Sequence, residues 1–188
     1  MLYHLKEYGK YVEITAYRNM KFARAEEFLK SNRKENQEAV EVQFFDADLI
    51  AEQDHLYFAI VNALQAFHNK TNISKSLAME TMLYASAQRQ IQKAIQRSGI
   101  KPETKNMATI IIAENPNQIK NMQKAINTCV DLEPDEKVLE MSKFKEQKIA
   151  KTFQITDLEV TAVMKNKNRT DTIVNLVIER VALLATQL

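Results

Sequence analysis

The residues best suited to chemistry lie between Asn69 and Lys105. Seven cations there, Lys70, Lys75, Arg89, Lys93, Arg97, Lys101 and Lys105, stand against only two anions, Glu80 and Glu103. The other 151 residues carry 19 basic and 22 acidic side chains, so a net +5 in 37 residues is hidden inside a whole-chain charge of +2. At about 100° per residue, Ser86, Arg89, Gln90, Lys93 and Arg97 share one helical stripe. Leu83, Ala87, Ile91, Ala94 and Ile95 fall on the other side, expected to face the core. Cations and amides on one stripe suit phosphates and unpaired bases. A solvated helix face has the same composition.

Glu80 falls in the apolar sector of that helix, between Leu77, Leu83 and Ala87. A buried carboxylate needs donors. Either the helix breaks near Ala85 to Gln88, with Glu80 holding the Ala85–Gln90 turn, or Glu80 caps local amide groups or pairs with a basic residue, or it is a partly exposed surface glutamate. The break is the preferred reading, which makes Glu80 a local structural support.

Other chemistries lack their parts. Gly9 and Gly99 are the only glycines, so neither glycine-rich phosphate motif can be written. Cys129 is the sole cysteine, which excludes an intrachain disulfide and a cysteine-based zinc site and fits a reducing compartment. His4, His55 and His68 form no triad or H-E-x-x-H motif. His55 is expected to be structural or solvent-facing, and Asp46/Asp48 and Asp135/Glu136 to be loop and cap carboxylates. No catalytic residue, metal ligand or cofactor is expected. With no apolar run of about 18 residues and no apolar core behind the N-terminal Met-Leu-Tyr-His-Leu-Lys-Glu, a complete cytoplasmic chain is expected.

Alternation predicts strands at Tyr11–Tyr17 and Val40–Phe44, ended by Asp46–Asp48, and the apolar run at Met107–Ala113 predicts a central strand. Helices are expected over Met20–Asn32, Ala51–Phe67, Ser76–Ser98, from Pro116 behind an Asn115 cap to Thr128, and over Ser142–Phe153. A capping box at Thr156–Glu159 predicts another, ended by the polar run Asn166–Arg169, and Thr170–Gln187 is the last. Ser31–Glu38 and Asp131–Glu136 read as loops, and Val138–Met141 as a short strand. The fold class is α/β, a single domain over residues 1–188 with a mixed β-sheet flanked by helices.

Residues 79–95, M-E-T-M-L-Y-A-S-A-Q-R-Q-I-Q-K-A-I, closely resemble the pattern M-E-x-L-x-x-A-S-G-Q-R-Q-I-x-x-A-I of the PRPK-binding (TPRKB-like) family, archaeal type, the small regulatory subunit of the KEOPS complex. Weaker similarity covers Phe44 through His55, Val138–Met141 and Glu179–Leu183. The resemblance implies a non-catalytic subunit of the complex that makes tRNA threonylcarbamoyladenosine. It implies two partners: the kinase-like (PRPK-like) ATPase subunit and the single-stranded CCA end of tRNA. Carried over, the motif puts Ser86, Gln88, Arg89 and Gln90 at the RNA-facing turn. Lys75 and Lys93 join them on charge alone. Ala87 replaces the usual glycine, so a positive φ there means strain or a different bend.

In the last helix, Ile173, Val174, Val177, Ile178, Val181, Leu184 and Ala185 form one wide apolar face expected to pack on the sheet. Leu176 and Leu183 lie opposite, beside Arg180. This second seam is a candidate protein contact, and the resemblance implies the kinase-like subunit as its occupant; the alternative is a helix buried on both sides. Likewise, the chain could be a protein-interaction module that activates the kinase-like subunit without touching RNA.

Overall fold

A computed structural model describes residues 1–35, 40–164 and 168–186. Among the described residues four strands, β1 (Leu2–Leu5), β2 (Lys10–Tyr17), β3 (Glu41–Asp46) and β4 (Met107–Ala113), form a sheet in the order β1-β2-β4-β3. The longest register runs from Tyr11 opposite Ala113 to Tyr17 opposite Met107. Helices flank the sheet as expected, but all three pairings are antiparallel, so its strand directions are not mixed. Every residue of the central strand β4 is buried, as its unbroken apolar run requires.

Strand alternation divides the core in two. Val12, Ile14, Phe45, Ala108, Ile110 and Ile112 face α2 (Glu52–His68), α3 (Leu77–Ser86) and the upper part of α8 (Arg169–Leu183). Tyr17, Val42, Phe44, Met107 and Ile111 face α1 (Phe22–Glu35) and α5 (Pro116–Val130). A third cluster joins α6 (Lys143–Thr152), α7 (Asp157–Val163) and α8 through Ile149, Phe153, Val160, Ile173 and Leu176.

Several local departures have identifiable causes. Val138–Met141 is not a strand: Glu136–Leu139 is a 3-10 turn, and the Lys145 ammonium donates to the carbonyls of Val138 and Leu139 at 3.2 and 3.0 Å. Acceptors that a ladder would need are thereby taken by a side chain. Ser31–Glu35 continues α1 rather than opening a loop, while 36–38 lie outside the described residues. Arg169 opens α8, capped by Asn168, instead of ending α7; 165–167 and Gln187 also lie outside the described residues. β1 was not expected, being only four residues with two exposed.

The expected Ser76–Ser98 helix does break. α3 ends at Ser86 and α4 spans Ile91–Ser98. At the start of α3, Ser76 caps the Met79 amide, and the Glu41 carboxylate on β3 accepts from the Ser76 hydroxyl at 2.8 Å and the Ala78 amide at 3.1 Å. Glu80 is buried and accepts from the Ile73 and Ser74 amides, the latter at 2.6 Å. It is a structural support, but of the loop before α3 rather than of the Ala85–Gln90 turn. Its place in the first helical turn aims it backward along the chain.

The other end of α3 is closed by a Schellman arrangement. Gln88 donates its amide to the Leu83 carbonyl at 3.0 Å and Ala87 to Tyr84 at 2.9 Å. The residue that must be left-handed there is Ala87, at φ 49° and ψ 46°. The motif strongly prefers glycine at that position, and an L side chain costs about 1–2 kcal/mol. The turn is therefore bent as a glycine would bend it, and strained. Ala87→Gly should stabilise the protein by ~0.5–1 kcal/mol after the added unfolded-state entropy, raising Tm by about 1–4 °C. A lower Tm in thermal unfolding would contradict the assigned strain.

Candidate nucleic-acid interface

A helix end leaves four carbonyls without intrahelical partners, and at α3 these belong to Leu83, Tyr84, Ala85 and Ser86. The first two are satisfied by the turn itself. The Ala85 oxygen lies 2.8 Å from His55 Nε2, and the Ser86 oxygen accepts from Arg97 Nη1 at 3.0 Å. All four acceptors are thus met, two of them from other parts of α2 and α4. Between them sits Phe153: its ring is edge-on to His55 at 5.6 Å and 5.8 Å from the Arg97 guanidinium.

His55 is fully buried, so the structural reading holds and the solvent-facing one does not. Its Nδ1 accepts the Ala51 amide at 3.1 Å. That bond leaves Nδ1 unprotonated, hence the neutral ring carries its hydrogen on Nε2 and donates to Ala85. Burial pushes its pKa down to about 4, opposed by the Ala85 hydrogen bond and reinforced by the charge of Lys145.

Above this base, Arg89 and Gln90 are exposed, and Gln88 is half-buried with its side-chain amide on the Ala87 carbonyl at 2.9 Å. Gln90 precedes α4 without capping it through its side chain, so the first amides of α4 add donors beside Arg89. Lys93 is exposed one turn along. Ser86 differs from expectation: it is fully buried, and its hydroxyl returns to the Leu83 carbonyl at 3.1 Å, so its side chain is not presented. Lys75 precedes the other end of α3, on a groove shared with Ile73, Met79 and Ile91, the first residue of α4.

The expected stripe is altered by the break itself. A 100° phase carries across only while the helix is continuous, and four residues reset it. Ile91 and Ile95 consequently face solvent, whereas Ala94 is buried and Arg97 turns half inward. Burial pushes the Arg97 pKa down from its ordinary value. The far end of α4 is tied to the sheet by a bridge between Gly99 and Phe45. A Cβ at Gly99 would lie 2.7 Å from the Ile95 carbonyl oxygen, which explains one of the two glycines.

A groove of about 680 Å³ opens from Gln88 between α4 and α6, bordered by Lys93, Arg97, Lys101 and Lys148. Lys101 and Lys148 were not among the expected site residues; 47 positions separate them, and no local pattern joins them. Lys148 pairs with Asp46 at 3.3 Å and Asp48 at 3.2 Å. Asp46 and Asp135 also cap their own 3-10 turns, as loop carboxylates should.

The proposed partner seam on α8 is divided. Leu176 is buried within the α6–α8 cluster, so it cannot form a docking surface; α6 and α7 cover that side. Arg180 is half-buried, with Nη2 donating to both Glu159 oxygens at 2.8 and 2.9 Å and Nη1 to the Leu176 carbonyl. It fastens α7 to α8. Leu183 is 46% exposed and remains available, as do Leu158 and Val163 of α7.

Because the unfolded chain protonates His55 near the ordinary 6.5 and the folded one only near 4, stability should fall as pH drops between those values. The expected loss is about 3 kcal/mol, with no further contribution from this group below the folded pKa. His55→Asn should be less stable at neutral pH and should lack this component. Parallel stability-versus-pH curves for the two proteins would contradict the assignment.

Comparison with known proteins places these features in context. The family model described as kinase binding protein CGI-121 matches residues 17–185, from the last residue of β2 through α8. Regulatory protein Cgi121 of Methanocaldococcus jannaschii is 33% identical over 113 residues, spanning 60% of this chain and 70% of that protein. With the whole of the turn, its braces and α8 inside the matched span, the chain belongs to the CGI-121 kinase binding protein family.

Proposed function

We propose that this protein is a non-catalytic, regulatory subunit of a KEOPS complex that supports threonylcarbamoyladenosine formation on tRNA. It does so by holding the single-stranded CCA end at the turn after α3 and by docking on a kinase-like ATPase subunit. The observation that carries the RNA half is the turn: Arg89 and Gln90 are exposed on a backbone whose four terminal carbonyls are all fixed from within. A preset backbone loses little freedom on binding, which favours a small ligand such as a few unpaired nucleotides. Arg89 supplies a planar cation for phosphate or for stacking, and Gln90 an amide for a base edge.

The kinase half is supported by the family's description. On the structure we assign it to Leu183 with Leu158 and Val163, exposed apolar side chains of two helices joined by Arg180 and Glu159. Apolar side chains of this kind suit the core of a protein contact. The two functions then occupy different regions, the turn resting on the α6–α8 cluster through Phe153.

A gel-shift comparison of intact tRNA with tRNA lacking CCA tests the reading. Wild type should bind the intact tRNA more tightly, and Arg89→Ala should lose about tenfold or more, equivalent to ~1.4 kcal/mol, while Lys6→Ala changes little. Equal binding to both tRNAs would remove the acceptor-end claim. Failure of Arg89→Ala to alter binding or modification, with Leu183→Arg abolishing partner association, would establish the pure interaction module instead.

A further inference from the structure

The groove between α4 and α6 has no part in that reading, yet it begins at the turn. Gln88 of the turn lines it together with Lys93 and Arg97 of α4, Lys148 of α6 and Lys101 of the loop after α4. Two anions also line it, Asp46 and Glu103. Asp46 is already paired with Lys148, and Lys148 is further held by Asp48. Lys93 and Lys101 have no side-chain hydrogen-bond or ion-pair partner among the described residues, so they are the cations left to a ligand.

A nucleic-acid strand brings a negative charge with every nucleotide, so a site that holds a terminus must also accommodate the phosphates that follow. The groove on the other flank, at Lys75, offers one lysine among Ile73, Met79 and Ile91. Its charge favours that path far less. Arg97, although a groove cation, is committed to the Ser86 carbonyl and packed on Phe153.

We propose that the α4–α6 groove is the track for the phosphodiester backbone of single-stranded RNA leaving the turn, with Lys93 and Lys101 as phosphate ligands and Arg97 as a positioning residue. The proposal rests on RNA binding at the turn. Lys148, held by two aspartates, contributes to the field and not to contact. Glu103, an anion in the same lining, opposes the strand.

The test is the salt dependence of binding for two RNA probes ending in CCA, a trinucleotide and one of about eight nucleotides. Lys101→Ala should reduce the log-log salt slope for the longer probe by about 0.7 and leave the trinucleotide unaffected. Glu103→Gln should tighten the longer probe. Arg97→Ala should weaken both probes several-fold without changing either slope, which a lost phosphate contact could not do. If wild type binds the longer probe but Lys101→Ala keeps its slope, the groove proposal fails while the turn survives. A slope lowered by Arg97→Ala overturns the positioning role, and wild type binding neither probe overturns the turn and the groove together. Thermal unfolding of each variant identifies any that have lost the fold; Lys101 and Glu103, on the surface loop, keep the test independent of Arg97.

Discussion

Two carbonyl oxygens at the end of α3, those of Ala85 and Ser86, have to be satisfied inside the protein, and the candidate interface depends on how this is done. Left bare in a buried setting, each would cost about 1–3 kcal/mol. His55 and Arg97 satisfy them with donors of different kinds: a neutral ring held from its other nitrogen by Ala51, and a guanidinium lying on Phe153. With these bonds in place the chain can reverse through a left-handed alanine and present Arg89 and Gln90 outward. Without them the helix end would be free to fray or to continue into α4, and the exposed pair would lose its fixed position.

The same contacts join two parts of the molecule. Phe153 follows α6 and belongs to the cluster that includes Ile173, Leu176 and Val177 of α8. The turn is therefore packed, through one aromatic ring, on the helices whose outer surface carries Leu158 and Leu183. Gly99 fixes the other end of α4 to β3, while Glu41 reaches from β3 to the start of α3. The sheet thus positions both helices that flank the turn, a rigid support of the kind that precise recognition requires.

Much of this was legible in the residues, because the relevant signals are local. Period-two alternation located β2 and β3, the triple isoleucine marked β4 as central, Asn115 caps its helix as its place before Pro116 implied, and Thr156 makes the reciprocal bonds that its capping-box spacing implied. Glu80 in an apolar sector correctly indicated a broken helix. What it could not indicate was direction: its donors lie seven and six residues earlier, in a loop of unremarkable composition. The stripe over residues 86–97 failed for a related reason, since periodicity holds only as far as the helix does. Leu176 looked exposed because it lies opposite the wide apolar face of α8, which packs mainly on α2 rather than on the sheet as expected, yet α6 and α7 cover it. His55 sits among Gln53 and Asp54, which hid its burial; an imidazole with both nitrogens bonded is as compatible with a core as with a surface. Lys101 and Lys148 meet only in three dimensions.

The central claim is that the turn, supported from beneath, is where a single-stranded RNA end is held. Backbone amide chemical-shift mapping during titration with a CCA-ending oligonucleotide measures this most directly. Saturable shifts concentrated at Gln88 through Lys93 are expected, with little change around Lys75 or Leu183. Shifts centred on either of those regions, with the turn unmoved, would contradict it.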